Sequence, residues 1–95
     1  LENDSIKEKF KNKFADFFEL PKDVVLDVPR IALVGNLELN LENHRGVIEY
    51  DQEKVRIRIH KGQVIILGKE LIIEELSKEE ARITGYIKDI NFKYY

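Results

Sequence analysis

A mainly β domain introduced by one amphipathic helix is the fold class this sequence predicts, and three observations predict it. Ile6, Phe10, Phe14, Phe17 and Phe18 recur at the three-and-four spacing of a helix near the start of the chain. From Arg30 onward the texture changes to short runs rich in Ile, Val and Leu, several alternating strictly with polar residues. The connections between those runs are about two to five residues long, enough for hairpins and too short for parallel crossovers.

The helix is expected over residues 5–19. Ser5 followed by Glu8 reads as a capping box, in which each side chain satisfies the other residue's free backbone amide. Pro21 has no amide hydrogen to continue the ladder, and it pushes Leu20 toward an extended conformation. A β region over residues 30–95 follows, the whole of 1–95 forming a single domain because so short a chain cannot bury two cores.

The expected strands are RIALV, LELNL, VIEY, VRIRI, QVIIL, LIIEE, ARITGYI and INFKY. In VRIRI, Val55, Ile57 and Ile59 share one face while Arg56 and Arg58 take the other; Leu37, Leu39 and Leu41 repeat that pattern. Alternation of this kind means one buried sheet face. DQEK, HKGQ and LGKE read as turns, with Gly62 and Gly68 supplying positive φ. Between Ile87 and Ile90 the alternation slips by one residue, the mark of a bulge or tight bend. Ser77-Lys78-Glu79-Glu80 reads as a single helical turn. The resulting architecture is a meander of about seven or eight short, mostly antiparallel strands forming a curled sheet or barrel-like domain. A short β-solenoid is the alternative, since similar glycine-punctuated strands can also coil.

Bulk properties weigh against some function classes and exclude others. The net charge of -2 lacks the basic excess with which dedicated nucleic-acid binders displace counterions. With no cysteine there is no disulfide, thiolate nucleophile or zinc-thiolate site. Apolar residues are 43% of the chain, enough to build a core rather than a disordered tail. The longest purely apolar run is VIIL, far short of the ~20 residues that span a bilayer, so the expectation is a soluble domain. The chain starts at Leu1 rather than methionine, which leaves residues upstream of it open.

The stretch ENHRG packs an amide, an imidazole, a guanidinium and a glycine into one corner. Asn43 and Gly46 suffice to make the turn. His44 and Arg45 are not needed for it: Arg45 offers a planar five-donor fork, and His44 can accept or donate a proton. Asn43, His44, Arg45 and Gly46 are therefore a corner whose side chains brace neighbouring strands, a partner-binding patch, or a site for a small ligand or ion. An enzymatic reading would need His44 and a carboxylate such as Glu42 or Glu49 in one pocket, and no nucleophile arrangement accompanies it. His60 reads as a solvated turn residue.

The stretches LPKDVVLDVPRI and ENHRG, followed by VRIRIHKGQVIILGKELIIEEL and ITGYIKDINF, resemble the YabP/YqfC family of sporulation proteins, and its YqfC branch more closely. The resemblance runs from about Phe14 to Phe92 and is least specific in the lysine-rich start. It implies a role in endospore formation in the mother-cell cytoplasm, with association to the forespore envelope. It brings no enzymatic activity, cofactor or metal, and so no catalytic residue to carry over.

The expected function is thus a non-enzymatic adaptor or assembly domain with a protein partner, a membrane surface or membrane protein being a compatible contact. Phe10, Phe14, Phe17 and Phe18 either pack on the sheet or form a docking helix whose flanking lysines meet anionic headgroups. Homo-oligomers through an unpaired strand edge are compatible with the pattern. The rival is a small nucleic-acid-binding β-barrel using Arg45, Lys54, Arg56, Arg58 and Lys61 with the aromatic tail NFKYY. Net charge counts against it, and the bland account of those cations is cross-strand pairing with Glu49, Glu53 or Glu70.

Overall fold

Six strands run in the order β1 (Arg30–Val34), β2 (Glu38–Glu42), β3 (Val47–Tyr50), β4 (Lys54–Ile59), β5 (Gly62–Leu76) and β6 (Glu80–Tyr94). They come from a computed structural model that describes residues 27–95. The helix expected over residues 5–19, with Phe10, Phe14, Phe17 and Phe18, lies outside the described residues. All pairings are antiparallel, and the strands form one sheet in the order β1-β2-β6-β5-β4-β3. Among the described residues the sheet does not close: β1 and β3 are its edges, which replaces the barrel expectation and the solenoid alternative with an open sheet.

Six strands stand where about seven or eight short ones are expected from the turn signals, because two expected turns lie inside long strands. QVIIL and LIIEE are one 15-residue strand, and so are ARITGYI and INFKY. The Gly68–Glu70 stretch does not reverse the chain; it shifts the β5–β6 register between Leu67 and Gly68 and again between Lys69 and Ile72. The slip expected between Ile87 and Ile90 is present, with Gly68 opposite Ile87 and Leu67 opposite Asp89.

These bulges divide the sheet into two wings. β2 pairs with the first part of β6, Glu38 to Glu42 opposite Thr84 to Glu80, whereas β4 pairs with the first part of β5, Lys54 to Ile59 opposite Leu67 to Gly62. Each short hairpin also caps the bend of its long strand. The β1–β2 turn receives bonds at Leu37 O from Gly85 N (3.1 Å) and at Asn36 O from Ile87 N (2.8 Å). The β3–β4 turn does the same for β5, with Glu53 O accepting from Gly68 N (3.0 Å) and Gln52 O from Leu71 N (2.9 Å). Polar groups freed by the bulges are thereby satisfied.

The core forms where the two wings meet. Leu39, Leu41, Ala81 and Ile83 from one wing join Val55, Ile57, Ile59, Val64 and Ile66 from the other, with Leu71 and Ile87 at the bend, in one buried cluster. The alternation of VRIRI therefore reads as expected. Leu37 does not: it sits in the β1–β2 turn and is 54% exposed, because β2 starts at Glu38.

The glycines act differently from the turn expectation. Positive φ falls on Lys61 and Glu70, not on Gly62 and Gly68. Gly62 and Gly68 are required by close approach instead: a Cβ would lie 2.4 Å from Lys93 O at the first and 2.0 Å from Tyr86 O at the second. Ser77 to Glu80 is a hairpin connection rather than a helical turn, closed by Ser77 N to Glu80 O (2.7 Å) and Glu80 N to Ser77 Oγ (3.0 Å).

Candidate functional site

The corner at residues 43–46 carries the chain from β2 in one wing to β3 in the other. Asn43 adopts φ 65° and Gly46 φ 112°, the left-handed values that make Asn and Gly the favoured residues here. The backbone ties both wings. Asn43 N and His44 N donate to Glu79 O in the β5–β6 connection (2.7 and 3.3 Å). Arg45 N donates to Arg58 O (2.7 Å) and Arg58 N to Gly46 O (2.8 Å), extending the β3–β4 ladder.

His44 is 6% exposed, and both ring nitrogens are engaged by backbone groups. Gly46 N donates to Nδ1 at 2.9 Å, so Nδ1 presents its lone pair. Nε2 then carries the proton and donates to Ser77 O at 2.9 Å. The imidazole is thus a rivet between the corner and the β5–β6 connection. Among the described residues the ring's hydrogen-bond partners are these two backbone groups rather than a carboxylate.

Arg45 and Asn43 turn outward to Asp27. The Asn43 side-chain amide donates to Asp27 Oδ1 (2.8 Å) and to Val28 O (3.0 Å). The Arg45 guanidinium pairs with Asp27 Oδ2, and His60 Nδ1 lies 3.3 Å from the same oxygen. The Asn43 hydrogen bond, with Arg45 and His60 adding to it against partial desolvation, holds the Asp27 carboxyl below its ordinary value. His60 is accordingly part of this cluster and not only a solvated turn residue.

Sequence reasoning passes over Asp27 and reads His60 only as a turn residue, because no short-range spacing connects residues 27 and 60 to the corner. The available signal was that Asp27 lies in the LPKDVVLDVPRI stretch and Asn43 to Gly46 in ENHRG. Those two stretches touch in space.

Three cations of the basic patch, Arg45, Lys54 and Arg56, lie within ion-pair distance of carboxylates. Arg56 bonds Gln63 Oε1 (2.8 Å) and Glu49 Oε1 (3.3 Å), and Lys54 lies 3.7 Å from the same glutamate oxygen. The tail NFKYY ends β6, with Tyr95 N on Lys61 O (2.9 Å) and Tyr95 OH accepting from Gln63 Nε2 (2.9 Å). Among the described residues no cluster of three His, Asp or Glu side chains is arranged to hold a metal ion.

The sequence pattern of the YabP family matches residues 27–94. The chain belongs to the YabP family. It is 36% identical over 86 residues to "Uncharacterized protein YqfC" of Bacillus subtilis (strain 168), an alignment covering 90% of this chain and 92% of that protein. No solved structure matches it. Within this YabP-family chain, the matched span begins at Asp27, the residue that clamps the corner.

Proposed function

We propose that this chain is a non-enzymatic adaptor or assembly domain of endospore formation, working through a protein partner in the mother cell at the forespore envelope. Membership of the YabP family and the similarity to YqfC support the process. Support for the adaptor role comes from how the corner spends its polar groups: His44 bonds two backbone groups, and Asn43 and Arg45 bond Asp27. The corner braces the surface that a partner meets, and the partner face lies elsewhere.

The outer side of the β1–β2 wing supplies such a face. Val34 is opposite Glu38, Glu38 opposite Thr84, and Thr84 opposite Ile72, so these four residues form one row on the side away from the core. Val34 is 61% and Ile72 48% exposed, with exposed Tyr86 following at the bend. Apolar and aromatic side chains beside polar ones suit a protein interface.

The test is complementation of a Bacillus subtilis strain lacking YqfC, read as heat-resistant spores. This chain should restore the count, and so should a folded His44→Gln variant. A folded Ile72→Glu/Tyr86→Glu variant should not. Normal spore counts without YqfC, or full rescue by the Ile72→Glu/Tyr86→Glu variant, would overturn the reading.

A further inference from the structure

A second apolar surface runs along the flank of β6. Beyond Ile87, no strand among the described residues pairs with the edge of β6 that faces away from β5. Phe92 and Tyr94 lie opposite Val64 and Gly62, so they project from the same face as the fully buried Val64. They are nevertheless 50% and 59% exposed. Their rings stack with centroids 6.3 Å apart and planes within 4°, forming an aromatic ledge that continues half-buried Ile90. On the same flank of the other wing, Leu33 is opposite buried Leu39 and is itself exposed. Inner-face side chains are bare along one side of the fold.

We propose that this flank seats the chain's own N-terminal segment, residues 5–19, docked as a helix through Phe10, Phe14, Phe17 and Phe18. The place where the described chain begins supports this occupant. Asp27 contacts His60, and the adjacent Lys61 carbonyl accepts from Tyr95 N, so the segment departs from the end of the fold where the ledge finishes. The lengths agree as well. A helix of about 15 residues is ~22 Å long, and β6 from Ile87 to Tyr94 extends ~23 Å. The connection over residues 20–26 can span up to ~24 Å, enough to turn the helix back along the strand.

The chemistry matches on both sides. A phenylalanine buries about 150–250 Å², and ring pairs gain further from offset or edge-to-face contact, which the Phe92–Tyr94 ledge offers. An amphipathic helix laid over an uncovered sheet face completes the second layer that such a face requires. The inference concerns the chain acting on itself and stands whether or not the adaptor reading holds.

The absence of cysteine makes the test direct. A nitroxide on Lys13→Cys, at the edge of the phenylalanine stripe, is placed in the ¹⁵N-labelled full chain. The amide signals of Leu33, Ile90, Phe92 and Tyr94 should be broadened away while that of Glu53 in the β3–β4 turn persists. Dilution with unlabelled chain should change nothing. Phe92→Glu/Tyr94→Glu should restore the signals, and so should Phe14→Glu/Phe17→Glu, which alters no residue of the β fold. Unbroadened flank signals would overturn the proposal, as for a segment reserved for a membrane or another protein. So would broadening seen only between a spin-labelled chain and a separate ¹⁵N chain, which would assign the flank to a second copy. Broadening that survives Phe14→Glu/Phe17→Glu would overturn it too.

Discussion

Replacing His44 with alanine removes the one side chain that bonds the corner to the β5–β6 connection from inside the fold. Two partly buried hydrogen bonds disappear, Gly46 N to Nδ1 and Nε2 to Ser77 O, both 2.9 Å. Each is worth about 1 kcal/mol net, and a backbone group left without a partner costs up to ~3 kcal/mol. A space the size of the ring adds to the loss unless water fills it. The expected destabilisation is therefore about 2–4 kcal/mol, or a fall in Tm of roughly 10–25 °C for a domain of this size. Urea titration of the full chain followed by far-ultraviolet circular dichroism reads it directly. His44→Asn keeps an acceptor near the Nδ1 position, and His44→Gln keeps a donor near Nε2, so each should lose only about half as much. A His44→Ala midpoint within about 0.5 kcal/mol of wild type, the range of an ordinary surface substitution, would refute the rivet.

Other perturbations test the bend and the Asp27 clamp. Gly68→Ala places a Cβ 2.0 Å from a backbone oxygen and should prevent stable folding, whereas Gly35→Ala, with φ 53° and open space around it, should cost only about 1 kcal/mol; thermal melts of the pair should separate them clearly. Tyr50 OH donates to Leu71 O at 3.0 Å across the bend, so Tyr50→Phe should lower stability by about 1 kcal/mol in the same urea assay. Asp27 is held below its ordinary value near 3.8, first by the Asn43 hydrogen bond and then by Arg45 and His60. Its stabilisation is therefore full above that ordinary value and is lost as pH falls through the lower folded-state value. Asp27→Asn should be less stable than wild type at neutral pH, and the difference should shrink below pH about 4 in acid-denaturation curves.

Much of the sheet was legible because alternation is a local signal. Val55, Ile57 and Ile59 point inward as their spacing requires, and the slip between Ile87 and Ile90 marks a real bulge. The two long strands were not legible, since Gly68 beside Lys69 and Glu70 has the composition of a turn. Only the partner strand shows that Gly68 is required because the Tyr86 backbone comes so close. Leu37 misled for a related reason: LELNL alternates over five residues, but the tight turn after Val34 claims the first of them.

The candidate site divides in the same way. Asn43 and Gly46 announce a corner through backbone preferences that act within a few residues. The distant partners of His44 and Arg45 are 33 and 18 positions away, at Ser77 and Asp27, where spacing carries no information. The fold alone brings them together, and His44 braces the corner against the β5–β6 connection.

The most direct test of that brace is the protonation pattern of the His44 ring at neutral pH, observed by long-range ¹H–¹⁵N correlation. The chain has only two histidines, so His60→Gln assigns the spectrum. The account predicts a single Nε2–H tautomer for His44, with Nδ1 unprotonated and accepting from Gly46. An Nδ1–H tautomer, or a rapid mixture of the two, would contradict it.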